Sequence, residues 1–301
     1  RCGAPHGQMG NAVFVMEATE PSPVKVGTLP VLKTSTWNDR NYAGIGTNKS
    51  VMAFDDTNWL HAPASSDWAF GTGDFTVSVW IYPTELAGTN QIFAQGEGGG
   101  AAASGGTNSG TRASLYIRGA DASPNAFDIG VYHAKGGTTV CDKKWVAGAV
   151  VNMWHHIMFT RTGGVLYLYK NGALLPVQAT GTEIGSNNWG YSDKTFVIGT
   201  DTHYHALYMG FMDEFMAWKG VALNANTFIE MYQTNRAGNH NTANSACVLH
   251  LKADSTYGDT AFTDASPSAH TITNNGGVYH HIDDNRTANT ALYFDGASYI
   301  G

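Results

Sequence analysis

The stretch "WHHIMFTRTGGVLYLYKNGALLPV", residues 154–177, constrains the fold more than any other part of this 301-residue chain. Three strand-like runs are separated by Gly163-Gly164 and by Asn171-Gly172. Both pairs tolerate the positive φ that tight hairpin turns demand, so the stretch reads as three antiparallel strands joined by short turns. The segment "DFTVSVWIY" alternates in the same way. It places Phe75, Val77, Val79 and Ile81 on one face and Thr76, Ser78, Trp80 and Tyr82 on the other, the period of a strand with one face in a core. "KTFVIGT" and "YMGFMDEFMAW" add two further strands. One helical window follows, "NANTFIEMYQTN". There Thr227 and Glu230 have the spacing of a capping box, and Phe228, Met231 and Tyr232 form a short apolar stripe.

Composition agrees with an all-β protein rich in connections. Charged residues make up 14% of the chain and aromatics 12%, and 36 glycines punctuate the strand runs. The formal net charge of −7 comes with no basic stripe to neutralise phosphates, which argues against a nucleic-acid partner. No run of 18 apolar residues occurs, so membrane insertion by a helix is not expected. The cysteines, Cys2, Cys141 and Cys247, are too few and too scattered for a disulfide framework, and Cys247 in "ACVLHL" reads as a buried thiol.

Residues 95–112, "QGEGGGAAASGGTNSGTR", form a low-complexity insertion expected at a hairpin tip. Residues 234–245, "TNRAGNHNTANS", are polar and aperiodic and read as a linker. Beyond it the pattern restarts. "VLHLKAD" (248–254) sets Leu249, Leu251 and Ala253 over Phe14, Met16 and Ala18 of "VFVMEAT" (13–19). The final residues, "ALYFDGASYIG", set Phe294, Asp295, Tyr299 and Ile300 over Phe54, Asp55, Trp59 and Leu60. The expected organisation is a module over 1–233, a linker over 234–245 and the start of a second, incomplete copy over 246–301.

Four blocks in order, "SVMAFDDTNWLHAPASSDWAFGTGDFTVSVWIYP", "WHHIMFTRTGGVLYLYKNGALL", "FVIGTDT" and "YMGFMDEFMAWKGVALNANTFIEMYQ", resemble the laminin-G-like jelly-roll family of the concanavalin A-like lectin/glucanase superfamily. The tail, with "FTD-S", "HT-T" and "YFDG", is similar to the N-terminal quarter of that family. The resemblance implies a two-sheet antiparallel jelly-roll sandwich with one short helix, of the kind found in marine phage and secreted adhesion proteins. It further implies a virion-surface or extracellular location and contact with a carbohydrate or cell-surface ligand.

Catalysis is not expected. Glycan hydrolysis needs two carboxylates about 5–10 Å apart, and none of the seven glutamates has the Glu-x-Asp-x-(x)-Glu spacing of the glucanases in this superfamily. The resemblance allows a structural Ca²⁺, with Asp213 and Asp55 as candidate ligands; each acid also fits a plain role at a strand end or turn. For sugar recognition, "GSNNWGYSD" combines aromatic and hydrogen-bonding residues: Asn187, Asn188, Trp189, Tyr191 and Asp193. His203, Tyr204 and His205 of "DTHYHALY" are the candidate opposite wall. Trp189 is equally suited to plugging the edge of the core, whereas Trp80 and Trp154 lie in strong strand patterns and are expected to pack. Asn48 and Asn285 begin glycosylation sequons, which matter only in a eukaryotic secreted protein. A structural alternative has the modules as spacers or self-assembling units, with residues 246–301 completing a sandwich on another copy of the chain.

Overall fold

The computed structural model describes residues 50–282 apart from 56, 87, 97–110, 121–122, 178–181, 203–205, 225–245, 253–254, 257 and 276. The expected helix at 224–235, the 234–245 linker and both sequons lie wholly or mostly outside the described residues.

The alternating runs become strands where expected. Strands β1 (Ser50–Asp55), β2 (Trp59–Ala62), β3 (Phe75–Pro83), β4 (Thr89–Gly96), β5 (Arg112–Ala120), β6 (Ser123–Lys135) and β7 (Thr138–Val150) come first. Then follow β8 (His155–Thr162), β9 (Val165–Lys170), β10 (Ala173–Leu174), β11 (Thr195–Ile198) and β12 (Met209–Lys219). The last three are β13 (Cys247–Leu251), β14 (Thr273–Asn275) and β15 (Tyr279–Ile282). The helical content among the described residues is one 3-10 turn, Ser66–Trp68, capped by Ser65, whose Oγ accepts from Asp67 N. Gly163, Gly164, Asn171 and Gly172 all take positive φ, as the two tight turns require.

Two antiparallel sheets make the sandwich. One runs β10-β9-β8-β3-β12-β1-β15, with β13 also on β12; the other runs β14-β2-β11-β4-β5-β6-β7. Their inner faces share one core. Phe75, Val77, Val79 and Ile81 of β3 point into it, together with Leu115 and Ile117 of β5 and Phe127, Ile129 and Val131 of β6. Trp80 and Trp154 pack instead on the outer side of the first sheet, with Val51, Met158, Trp218 and Leu223. They are packing residues. Gly96 pairs with Arg112 at the ends of β4 and β5, and residues 97–110 of the low-complexity insertion lie outside the described residues.

The expected division after residue 245 is corrected. Residues 247–282 are built into the sandwich of residues 50–219: β13 pairs with β12, β14 with β2 and β15 with β1. Val248, Leu249, Leu251, Phe262 and Val278 enter the common core. The physical reason lies in edges. β12 pairs with β1 along Met209–Met212 and with β13 along Phe215–Trp218, so β13 satisfies backbone groups that β1 does not reach.

Candidate functional site

The loop 185–193 does not present an aromatic to solvent. Trp189 is 1% exposed. Its backbone exchanges two hydrogen bonds with Gly71, at 2.8 and 3.0 Å. Its ring stacks on His133 (5.3 Å between centroids) and meets Phe159 (5.2 Å) and Phe75 (5.8 Å). Trp189 closes the edge of the core, which corrects its assignment as a sugar platform. Tyr191 is half-buried and tied inward: its hydroxyl donates to Ala134 O at 2.6 Å and lies 2.8 Å from His133 Nε2. Arg161, itself 1% exposed, holds the loop from below by donating to the carbonyls of Gly71, Gly185 and Asn187. Asn187, Asn188 and Asp193 are exposed, with Asp193 3.0 Å from Lys194. That side-chain contact holds the Asp193 carboxyl below its usual range. The loop therefore offers polar groups to solvent with its aromatics turned away.

The two candidate calcium ligands do not converge. Asp55 lies opposite Met209 and Asp213 four residues further along β12, about 14 Å of strand. Asp55 Oδ1 accepts from Thr57 N and Oγ1 (3.1 and 2.7 Å), making a turn. Asp213 is 3% exposed, and its Oδ1 accepts from Glu214 N at 2.8 Å beside a β-bulge. Among the described residues no group of three or more His, Cys, Asp or Glu side chains is placed to hold a metal ion. His203, Tyr204 and His205 lie outside the described residues.

A different surface gathers the chemistry, the outer face of the seven-stranded sheet over β5–β7. On β5, Ala113, Leu115 and Ile117 enter the core, so period-2 geometry sends Arg112, Ser114, Tyr116 and Arg118 outward. On β6 the outward positions are Asp128, Gly130 and Tyr132, and on β7 they are Asp142 and Lys144. Tyr116 is paired with Gly130, and its phenol ring occupies the place where a Cβ at that position would stand. The ring therefore lies across β6 instead of standing upright. Burial pushes the Tyr116 hydroxyl up to about 12, with Asp142 adding to the rise and Arg118 and Arg112 opposing it. It stays a neutral donor.

Arg112 flanks this platform, its Cζ 4.7 Å from the centroid of the Tyr132 ring. The segment after β11 supplies a border. Gln91 N donates to Ala206 O (3.1 Å) and Asn90 Nδ2 to Leu207 O (2.9 Å), resuming the pairing that β11 leaves at Gly199. Asp201 lies 4.0 Å from Arg112. Gln91 Oε1 and Ser114 Oγ, outward like Tyr116, are buried without a hydrogen-bond partner among the described residues.

The residues on β5–β7 carry no motif in the sequence, whereas Asp201 lies in "DTHYHALY", the stretch expected as an opposite wall. The signal present for β5 was "RASLYIR", an alternation that exposes Arg, Ser, Tyr and Arg on one face.

Residues 54–227 match the Laminin_G_3 family of the concanavalin A-like lectin/glucanases superfamily, 174 of 301 residues and so more than half of the chain. The chain belongs to the Laminin_G_3 family. No curated protein sequence matches this Laminin_G_3 chain. Among solved structures it is similar to a Bacteroides ovatus protein described as carbohydrate binding, at 18% identity and a TM-score of 0.53, over 79% of this chain and 60% of the other. A heptameric SAP-like pentraxin from Limulus polyphemus matches at 13% identity and a TM-score of 0.46, over 79% of this chain and 97% of that one. Tailspike protein 2 of Escherichia coli O157:H7 bacteriophage CAB120 matches at 12% identity and a TM-score of 0.40, over 72% of this chain and 32% of the tailspike. The first of these is a likeness of fold alone. Among the described residues no helix is long and apolar enough to cross a membrane.

Proposed function

We propose that this Laminin_G_3 chain is a non-catalytic carbohydrate-recognition module of an extracellular or virion-surface protein, with its binding surface on the outer face of β5–β7. The observation that carries the reading is the Tyr116 ring laid over Gly130, with Arg112, Arg118, Asp128, Asp142 and Lys144 around it. A sugar ring presents an apolar C–H face and a rim of hydroxyls. A flat aromatic ringed by charged donors and acceptors complements both. The family and the Bacteroides ovatus protein described as carbohydrate binding support the ligand class.

The test is a glycan-array screen of the full chain, with calcium and with chelator, followed by titration of the best ligand. Tyr116→Ala is expected to weaken binding at least tenfold, as loss of a central aromatic contact does, while the chain still unfolds in one cooperative transition. Unaltered affinity in Tyr116→Ala would remove the platform. Loss of all binding in chelator would move the contact to a bound ion, and a silent array from folded protein would leave the structural role instead.

A further inference from the structure

Among the described residues, segment 247–282 makes its strand ladders with the rest of the sandwich. Its three strands form no ladder with one another among the described residues; each pairs with a strand from residues 50–219. Within itself it has single backbone bonds, one bridge and side-chain clamps, such as Gly258 N to His280 O, Leu251 opposite Asp264, and the Asp264 carboxylate accepting from His250 N, Ser266 N and His270 N. The apolar side chains it buries, Leu249, Leu251 and Val278 among them, meet partners from the earlier strands in the common core. Polar clamps cross the same seam. His250 Nε2 lies 2.9 Å from Glu214 Oε2, His270 Nε2 lies 3.0 Å from Asp67 Oδ2, and Asn275 Nδ2 lies 2.7 Å from His61 Nδ1. The segment thus has the character of an inserted part, joined to β12 through residues 220–246.

The sequence holds a second observation. Residues 13–19 repeat the pattern of 248–254, of which Val248–Leu251 belongs to β13 beside β12. Residues 291–301 repeat the pattern of β1 and β2, the strands on which β15 and β14 lie. The chain therefore carries two sequences of the kind that β12 accepts, and a second sequence of the kind on which β14 and β15 dock. One seam cannot use them all. Stretches of the same pattern compete for the same edge, within one chain or between chains.

We propose that residues 247–282 are an exchangeable strand donor, and that the segment of one copy completes the residue 50–219 sandwich of a second copy. Exchange of an identical element leaves every contact of the seam unchanged, including the Glu214–His250 and Asp67–His270 clamps. The balance between the closed monomer and linked copies is then set by chain closure alone. A connection of this length gives an effective concentration on the order of 1 mM. Linked copies are accordingly scarce at micromolar concentration and abundant where molecules are crowded at a surface or in a filament.

The experiment uses the full chain with Lys219→Cys and Ala246→Cys in a Cys2→Ser background. Lys219 N donates to Ala246 O, so the new thiols face each other across the seam. Cys141 and Cys247 are buried and do not compete. Under mild oxidation from micromolar to millimolar protein, covalent dimers and higher species are expected, rising to about half of the protein near 1 mM. Intrachain disulfide alone at every concentration would overturn the proposal, as would an equal ladder from Lys219→Cys by itself. If the double variant unfolds, native mass spectrometry of mixed heavy- and light-isotope wild-type chains reads the same exchange. Mixed-isotope oligomers support the proposal, and their absence at 1 mM overturns it.

Discussion

Gly130 and Tyr116 show how one missing atom shapes a surface. With any side chain at position 130 the phenol ring could not lie across β6 and would have to swing outward. Gly130→Val is therefore expected to lower glycan affinity about as much as Tyr116→Ala while leaving the ring in place chemically. Titration of the same ligand against both variants checks this, and full affinity in Gly130→Val would mean that ring orientation is irrelevant. Trp189 makes the opposite point. Its ring touches His133, Phe159 and Phe75 inside the core, so Trp189→Ala should destabilise the fold by about 3–5 kcal/mol. Urea denaturation would show this as a lower midpoint. A variant that kept wild-type stability but lost sugar binding would restore Trp189 as a ligand contact. The composition of "GSNNWGYSD" suits either role, because a loop has no periodicity to say which side chains turn inward.

At the scale of the strand, the alternation in β3 and β5 assigns faces correctly, and it does so because successive side chains must point to opposite sides. It does not tell which polar positions end up sealed. His155 and His156 are neighbours on β8 and so point to opposite faces, and both are buried. His156 Nε2 meets Ser78 Oγ at 2.8 Å, and His155 Nε2 meets Val150 O at 2.8 Å. Burial pushes His156 down to about 3 and His155 to about 4, and on β6 it pushes His133 to about 4 with help from Lys135 and Arg161. Folded imidazoles thus stay neutral where unfolded ones take up protons. Stability should fall as pH drops below about 6.5 and go on falling to about 3–4, by up to about 1.4 kcal/mol per pH unit for each histidine. Unfolding midpoints measured from pH 7.5 to 4.5 check this. A flat profile, or an unchanged slope in His156→Gln, would show that these rings are protonated in the folded chain.

For the molecule as a whole, the seam between residues 50–219 and 247–282 decides whether the sandwich is complete. Val248, Leu249, Leu251, Phe262 and Val278 bury five apolar side chains there, on the order of 10 kcal/mol at most. That is comparable to the entire stability of a domain. A chain ending at residue 245 is expected to lose cooperative unfolding and to bind a hydrophobic dye. A sharp transition at the wild-type temperature would show that the last three strands are dispensable. Local patterns alone were enough to specify an all-β chain, the turns at Gly163-Gly164 and Asn171-Gly172, the inward row of β3 and the likeness to a Laminin_G_3 sandwich. Each depends on residues a few positions apart, whose φ preferences and alternation act whatever the rest of the chain does. Folding in three dimensions settled the rest: that 247–282 joins the strands before it, that Trp189 turns inward over Gly71, and that Tyr116 finds Gly130 beneath it. Those are choices of partner across strands, and their free energy comes from edges, cavities and neighbours that exist only once the sheets have assembled.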